Sequence, residues 1–110
     1  MAVSVIPNIY PYTAYDDSDR SISYKKIGRT CTAFVNNTTI VLQSKTWRKL
    51  EGVIPSGFRP ISDISTVCFC GNDRNIPCIV GISTTGDIQF YNTSNSDASG
   101  VYGAGITYLS

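Results

Sequence analysis

The sequence contains no histidine, and this absence excludes more chemistry than any other feature of the chain. Histidine is the commonest general base, a member of most Ser and Cys catalytic triads and a ligand in most catalytic zinc sites. Paired-carboxylate chemistry would need residues such as Glu51, Asp63, Asp73, Asp87 and Asp97, but all five fall in predicted turns or strand edges. Acidic side chains in turns ordinarily cap backbone amides. We therefore expect a protein that is not an enzyme and that needs no cofactor.

Charge and long apolar runs are also scarce. Charged residues make up 15% of the chain, the formal net charge is +1, and the basic residues are scattered. A nucleic-acid binder needs a basic stripe that replaces phosphate counterions. No apolar run approaches the roughly 20 residues of a membrane-crossing helix, and residues 1–7 lack the basic start and long apolar centre of a signal peptide. We expect a soluble, uncleaved chain with no nucleic-acid partner and no membrane insertion.

The four cysteines are Cys31, Cys68, Cys70 and Cys78. Cys68 and Cys70 are two apart on a predicted strand, so their Cβ atoms lie about 6–7 Å apart on one face, outside easy disulfide geometry. A single C-x-C without histidine is a poor match for a four-thiolate zinc site, so no metal is expected. The favoured interpretation is buried free thiols in a reducing cytosol. A bond from Cys31 to one of the other three, across paired strands, stays open.

The residues that do abound are Ser, Thr, Asn, Ile, Val and Tyr, which is a composition typical of strands. Short strands at regular spacing, with no sustained 3.6-residue period, indicate a sandwich, a jelly roll or a barrel. We predict an antiparallel, jelly-roll-like β-sandwich over residues 22–110. A domain of this size buries only about 60–70% of its unfolded surface, so it gains from an oligomer interface. Residues 1–21, with two prolines, three tyrosines and an acidic cluster, predict an extended arm that crosses the domain or docks on a neighbouring subunit, or a partly ordered leader.

The strand predictions of the first half start with a hairpin. Residues 22–27 and 30–35 pair around Gly28, with Cys31, Ala33 and Val35 facing inward. A turn at Asn36-Asn37 leads to a third strand over residues 38–43, and residues 46–50 form a fourth.

In the second half, residues 66–71 are almost wholly apolar and predict a strand buried on both faces. Residues 72–75 form a turn, 76–83 a strand and 84–87 a hairpin loop, after which Ile88 and Phe90 face inward. Residues 92–100 are small and polar and predict an exposed loop, and residues 103–109 the final strand.

Between the halves lies a segment rich in proline, residues 53–60, which we call the bend. Pro55 and Pro60 fix φ and remove backbone donors, and Gly57 can adopt positive φ, so the bend cannot be helix or central strand. It predicts a rigid corner between strand groups, with Phe58 filling the core and Arg59 tying the corner.

Saccharide binding is the binding chemistry that this composition supports. Sugars are held by aromatic faces against C–H groups, with amides, carboxylates and guanidinium groups bonding the hydroxyls. The candidate ligand-binding residues are Trp47, Tyr91, Asn92, Asp97 and Tyr102; Arg59 offers the same chemistry. Each has a structural alternative: Trp47 packs in a core or between subunits, the tyrosines are amphipathic strand residues, and Arg59 fixes the bend.

Four segments carry a resemblance to a known family. They are Ile27-Gly28, residues 47–50, the Ile-Pro-Ser-Gly-Phe-Arg-Pro string of residues 54–60, and residues 82–88 around Gly86-Asp87. Together, over residues 22–109, they resemble a module of tail fibre and baseplate receptor-binding proteins of tailed bacteriophages. The string is the most specific part, although that family typically has Leu where this chain has Ile54, and the Cys68/Cys70 pair is a departure.

The resemblance implies a β-sandwich head of a trimeric fibre, carried in the virion tail and made in the bacterial cytoplasm. Its structural signature would be Pro55, Gly57, Phe58, Arg59 and Pro60. The implied partners are two further copies in a homotrimer, other phage tail proteins, and a host cell-wall or capsule saccharide bound through loops at one end. The alternative is a purely structural virion protein, a fibre tip, adaptor or head decoration, with no ligand of its own.

Overall fold

The computed structural model describes residues 12–110, and over this range the chain is all-β, with antiparallel strands in one curled sheet and no helix. The predicted all-β, antiparallel class is therefore confirmed. The strands are β1 (Tyr12–Asp17), β2 (Ile22–Ile27), β3 (Thr30–Leu42), β4 (Trp47–Leu50), β5 (Ile64–Cys70), β6 (Ile76–Ile82), β7 (Ile88–Asn92) and β8 (Ala98–Leu109).

The strand order in the sheet is β1-β2-β3-β8-β5-β6-β7-β4. The ladder is weakest between β8 and β5, where Cys70 and Val101 are the paired residues and the Gly71 N–H donates to Gly100 O at 3.1 Å. We call β1, β2, β3 and β8 the first wing, and β5, β6, β7 and β4 the second wing. Buried side chains of both wings belong to one hydrophobic core, because the curled sheet turns its inner face toward itself.

Alternation of side chains along each strand builds that core. Cys31, Ala33 and Val35 are buried as predicted, and Ile88 and Phe90 are fully buried on β7. The hairpin of β2 and β3 and the hairpin of β6 and β7 are also confirmed. These local pairings follow from period-2 patterning and short turns, which is why the sequence is enough to predict them.

The predicted turn at Asn36-Asn37 is wrong, and so is the separate third strand after it. β3 is one strand of 13 residues that continues through both asparagines beside β8. The register shifts on either side of Asn37, so the chain bulges there and does not reverse. The Asn37 Oδ1 accepts hydrogen bonds from the backbone N–H groups of Thr39 and Ile40, each at 3.0 Å, and so satisfies donors that the irregular ladder leaves unpaired.

The prediction that residues 66–71 are buried on both faces is also wrong. Cys68 and Cys70 lie in the core, but Val67 and Phe69 point to the other face and are 64% and 49% exposed. A continuous apolar run is typical of a strand covered on both sides, whereas no second layer of the described chain covers this outer face. The exposed apolar side chains are therefore a surface feature.

The segment predicted as an exposed loop, residues 92–100, is only partly exposed. Asn92 is the buried last residue of β7, while Ala98 and Gly100 are buried in β8. The Asn92 Nδ2 donates to Leu42 O at 3.0 Å and to Ser96 O at 2.8 Å, so the small polar segment folds around its first residue. The connecting loop itself is residues 93–97.

Part of the predicted N-terminal arm belongs to the sheet. β1 pairs with β2 along its whole length, from Tyr12 opposite Ile27 to Asp17 opposite Ile22, and forms one edge of the sheet. Residues 1–11 lie outside the described residues. Docking of the arm on a neighbouring subunit stays a prediction.

The bend contains a tight turn, but it joins β4 to β5 within the second wing and is not the predicted corner between strand groups. The Phe58 N–H donates to Pro55 O at 3.0 Å, which closes a tight turn with Gly57 at φ +96°. The Phe58 ring packs against the core, with its centroid 5.9 Å from that of Tyr24, and the Arg59 Nε donates to Ile54 O at 2.9 Å. Arg59 thus ties the bend to Ile54, whereas Phe58 is only half-buried and packs against the edge of the core.

Two buried tyrosines next to the bend differ in whether the hydroxyl group has a hydrogen-bond partner. The Tyr24 hydroxyl is buried without a hydrogen-bond partner, whereas the Tyr108 hydroxyl donates to Phe58 O at 2.6 Å and accepts from the Cys31 thiol at 3.3 Å. Burial raises the pKa of both phenols. We expect Tyr108→Phe to lower the free energy of unfolding by about 1–2 kcal/mol and Tyr24→Phe to leave it unchanged or raise it by up to about 1 kcal/mol. Urea unfolding curves measure both, and equal losses for the two variants would contradict the assignment.

Candidate functional site

Two of the candidate ligand-binding residues meet on the outer face of the second wing. Trp47 on β4 and Tyr91 on β7 are directly opposite each other, with ring centroids 5.0 Å apart and planes inclined by 44°. The alternation along β4 sends Leu50 toward the core and Trp47 outward, where its side chain is 50% exposed. The indole is thus held by a second ring yet open to solvent.

The strand register extends this pair into a row across the wing. Trp47 is opposite Tyr91, Tyr91 is opposite Ile79 on β6, and Ile79 is opposite Val67 on β5. Since opposite residues of an antiparallel ladder point to the same side, all four side chains lie on the outer face. We call Val67, Ile79, Tyr91 and Trp47 the outer stripe; it contains no charged residue.

A shallow open cleft of about 420 Å³ lies beside the outer stripe, which we call the glycine cleft. Gly81 lies opposite both Ser65 and Gln89, and the Gln89 side chain lies across it, with its Cγ 3.6 Å from the position that a Cβ on Gly81 would take. Trp47 also borders the cleft. Its polar lining is Ser65, Gln89, Ser83 and the carboxylate of Asp63, whose Oδ1 accepts from the Thr84 N–H at 3.1 Å.

Trp47 also borders a second cleft of about 470 Å³, lined further by Val41, Gln43, Thr46, Arg48 and Lys49. Arg48 there donates to Val41 O at 3.3 Å, and Lys49 pairs with Asp87 at 3.5 Å. The hydrogen bond from the Gly52 N–H, which is the larger effect, and the Lys49 charge hold the pKa of Asp87 below its usual value. An aromatic face between clefts lined by amides, hydroxyls and charged groups has the donor and acceptor types that saccharide hydroxyls require.

The other three candidate residues are not part of this surface. The buried amide of Asn92 is used inside the protein, and the Asp97 Oδ1 accepts from the Ser44 N–H at 2.9 Å, which ties the 93–97 loop to the β3–β4 connection. Tyr102 lies on β8 in the first wing, with the Arg74 guanidinium 4.8 Å from its ring centroid. The residues that the sequence does not single out are Gly81, Ser65 and Gln89, and Asp63 is considered there only as a turn carboxylate. They are near Trp47 only through strand register, which single-sequence patterning does not show.

The four cysteines are buried free thiols, and the alternative bond from Cys31 is not formed. Cys31 instead contacts the Tyr108 hydroxyl, and burial raises its pKa. Within residues 12–110, no group of three or more His, Cys, Asp or Glu side chains is arranged to hold a metal ion. This part of the chain also contains no helix with the length and apolar character of a membrane span.

Comparison with known proteins gives no relative: no protein-family model matches the sequence, and no curated protein matches it.

Proposed function

We propose that the chain is a host-attachment module of a tailed-phage fibre or baseplate, and that it binds cell-surface saccharide on the outer face of its second wing. The observation that carries the proposal is the position of Trp47, which is half exposed, packs against Tyr91 and borders two clefts that contain polar side chains. The sequence alone favours end loops. Asn92 and Asp97 of that region are engaged in internal hydrogen bonds, so the proposed site moves to the sheet face.

Three of the segments on which the phage resemblance rests are close in space and are joined by hydrogen bonds, which supports a shared structural role. The Lys26 Nζ, from the first hairpin, donates to Gly57 O in the bend at 2.8 Å. The Ile54 N–H, also in the bend, donates to Gly86 O of the last hairpin at 2.9 Å. Segments far apart in the sequence thus meet at the bend, which is expected if they have a common structural role. We further propose that the two wings act as the layers of a jelly-roll-like sandwich and that the module is a homotrimer.

In the proposed mechanism the indole face of Trp47 stacks on the C–H face of one sugar ring. Gln89, Ser65 and Asp63 in the glycine cleft then bond its hydroxyls. One such open site binds weakly, because it buries little of the ligand. Three sites on one fibre tip raise the avidity far above that of a single site.

A purely structural virion role is the second candidate, and one observation favours it. Phe69 extends the outer stripe beyond Val67, and both apolar side chains are exposed. A contiguous apolar patch of this kind is typical of a protein–protein interface. In this role, neighbouring subunits of the fibre would cover the outer stripe.

Trp47→Ala tests the site. We expect the substitution to weaken binding to host cell-wall or capsule fractions by at least about 10-fold, because a stacked aromatic platform contributes on the order of 1.5 kcal/mol or more. Phe34→Ala is the matched control, since Phe34 is an aromatic residue 44% exposed on β3 of the first wing. Retention of each purified variant on envelope fractions measures binding, and circular dichroism confirms that the variants are folded.

The outcomes separate the two roles. If wild-type protein at high concentration is not retained on any host envelope fraction, saccharide binding is rejected. If Trp47→Ala leaves the protein folded but dissociates an oligomer seen by light scattering, Trp47 belongs to a subunit interface. A wild-type monomer at micromolar concentration would reject the homotrimer.

A further inference from the structure

A pair of buried thiols that lie directly opposite each other is the strongest feature that the proposed attachment function does not use. Cys68 on β5 and Cys78 on β6 are cross-strand partners, and both are buried. Opposite residues of an antiparallel pair have Cα atoms about 4.5–5.5 Å apart, which falls within the range of disulfide-bonded cysteines. Their Cβ atoms lie about 4.5–5.5 Å apart, slightly beyond the usual disulfide separation, so a small inward movement of the strands closes the bond.

The other pairings are disfavoured by the same geometry. Cys70 is opposite Ile76, so its backbone is only a diagonal neighbour of that of Cys78, about 7–8 Å away, although the two thiols are in hydrogen-bond contact. Cys68 and Cys70 point the same way along one strand, and Cys31 lies on β3 against Tyr108. The strand register therefore favours the pairing of Cys68 with Cys78 over the other pairings.

We propose that Cys68 and Cys78 form a latent redox pair, which is converted to a disulfide by exchange with a low-molecular-weight disulfide such as oxidised glutathione. The inference does not depend on the attachment function. The bond would join β5 to β6 next to Val67 and Ile79, which are opposite each other in the outer stripe, so oxidation fixes the strands that carry that surface.

The exchange proceeds in two balanced steps. The Cys68 thiolate attacks one sulfur of the oxidant, whose S–S bond breaks and releases one thiolate. The Cys78 sulfur then attacks Cys68 in the mixed disulfide and releases the second thiolate. The protons lost by the two cysteines end on the two released thiols, so two cysteine thiols are oxidised and one oxidant disulfide is reduced. The hydrogen bond from the Cys78 thiol lowers the pKa of Cys68, which favours Cys68 as the attacking group.

Access to the buried pair requires local opening, and the sheet is weakest at this strand. On the side facing β8, the register pairing of β5 is between Cys70 and Val101, and Ile64 to Phe69 have no register partner there. A strand held along one edge opens more readily than one paired on both sides. A bond that closes with some strain is also readily reduced, as expected of a reversible pair and not of a structural disulfide.

The test uses the wild-type chain. Folded protein is incubated with oxidised glutathione, its remaining thiols are alkylated, and tryptic peptides are analysed by mass spectrometry without reduction. Cleavage at Lys49 and Arg74 places Cys68 and Cys70 in one peptide, Cys78 in another and Cys31 in a third. We expect loss of two of the four thiols and a link between the first two peptides that persists in Cys70→Ala and is absent in Cys68→Ala.

Protein oxidised in concentrated urea is the control, because its pairings are set by sequence proximity alone and should be mixed. Selective linkage of Cys68 to Cys78 in the folded protein supports the proposal. A link that includes Cys31, a link that disappears in Cys70→Ala, or retention of all four thiols under conditions that oxidise the unfolded chain would overturn it.

Discussion

Asn92→Ala is expected to lower the free energy of unfolding by about 3–5 kcal/mol. The Asn92 amide joins three chain segments: its Nδ2 donates to Leu42 O at the end of β3 and to Ser96 O in the 93–97 loop, and its Oδ1 accepts from the Ser94 N–H. The side chain is fully buried. Alanine removes this partner from Leu42 O and from the Ser94 N–H, while Ser96 O keeps its hydrogen bond from the Ser94 Oγ. Each buried, unsatisfied group costs about 1–3 kcal/mol.

The size of the effect also reflects what Asn92 organises around it. The Lys45 N–H donates to Asn92 O at 2.9 Å, and Ser44 forms a parallel bridge with Asn92, so the β3–β4 connection is built on the same residue. Lys45 adopts φ +53° there, a conformation that needs support from its surroundings. Loss of the amide should therefore loosen both the 93–97 loop and the approach to Trp47.

Asn95→Ala is the control, because it removes the same side chain from an exposed position of the same loop. Its effect on the free energy of unfolding should stay within about 0.5 kcal/mol. Urea unfolding followed by far-ultraviolet circular dichroism measures both variants. A loss below about 1 kcal/mol for Asn92→Ala would show that water or a rearranged loop satisfies the freed backbone groups.

Asn92 also shows where sequence reasoning stops. A run of Asn, Thr and Ser after a strand is typical of an exposed loop, and an asparagine there suggests ligand hydroxyls as partners. Its actual partners include two backbone carbonyls, one of them on a strand far earlier in the chain, at Leu42. Composition predicts that a polar side chain will be hydrogen-bonded, but only the tertiary arrangement decides to what.

The sequence predicts the local pairings of the sheet but not the pairings between distant strands. The hairpins of β2 with β3 and of β6 with β7 are short-range, and the sequence predicts them because turn residues and alternation are adjacent in the chain. The outer stripe depends on β4 pairing with β7, which brings Trp47 beside Tyr91 although β5 and β6 lie between them in sequence. The exposure of Val67 does not follow from the sequence, because apolar content does not reveal whether a second layer covers a face.

The bend contacts segments that lie far apart in the sequence, namely the last hairpin and β8. The Ile54 N–H donates to Gly86 O of the last hairpin, and Ile54 O accepts from the Arg59 Nε within the bend. Ile54 therefore connects the two segments. The Tyr108 hydroxyl of β8 donates to Phe58 O in the same segment. The bend thus contacts both wings through its backbone groups.

Gly86→Ala is the second substitution with a large expected effect, a loss of about 3–5 kcal/mol in the free energy of unfolding. Gly86 has φ +89°, a conformation that costs a residue with a side chain about 1–2 kcal/mol. A Cβ there would also lie 2.6 Å from the Arg59 Nε and 2.9 Å from Ile54 O. Because one contact is with backbone, the clash is relieved only if the hairpin moves away from the bend.

Gly57→Ala separates the two causes. Gly57 has φ +96°, but a Cβ at that position would meet nothing within 4 Å, so this variant carries the backbone cost alone, about 1–2 kcal/mol. The difference between the two variants in urea unfolding therefore measures the contact between the last hairpin and the bend. In an Arg59→Ala background, Gly86→Ala should cost less than in the wild type, since the nearer of the two contacts is gone. Equal losses at Gly86 and Gly57 would mean that the hairpin shifts freely, and the contact between the last hairpin and the bend would then not stabilise the fold.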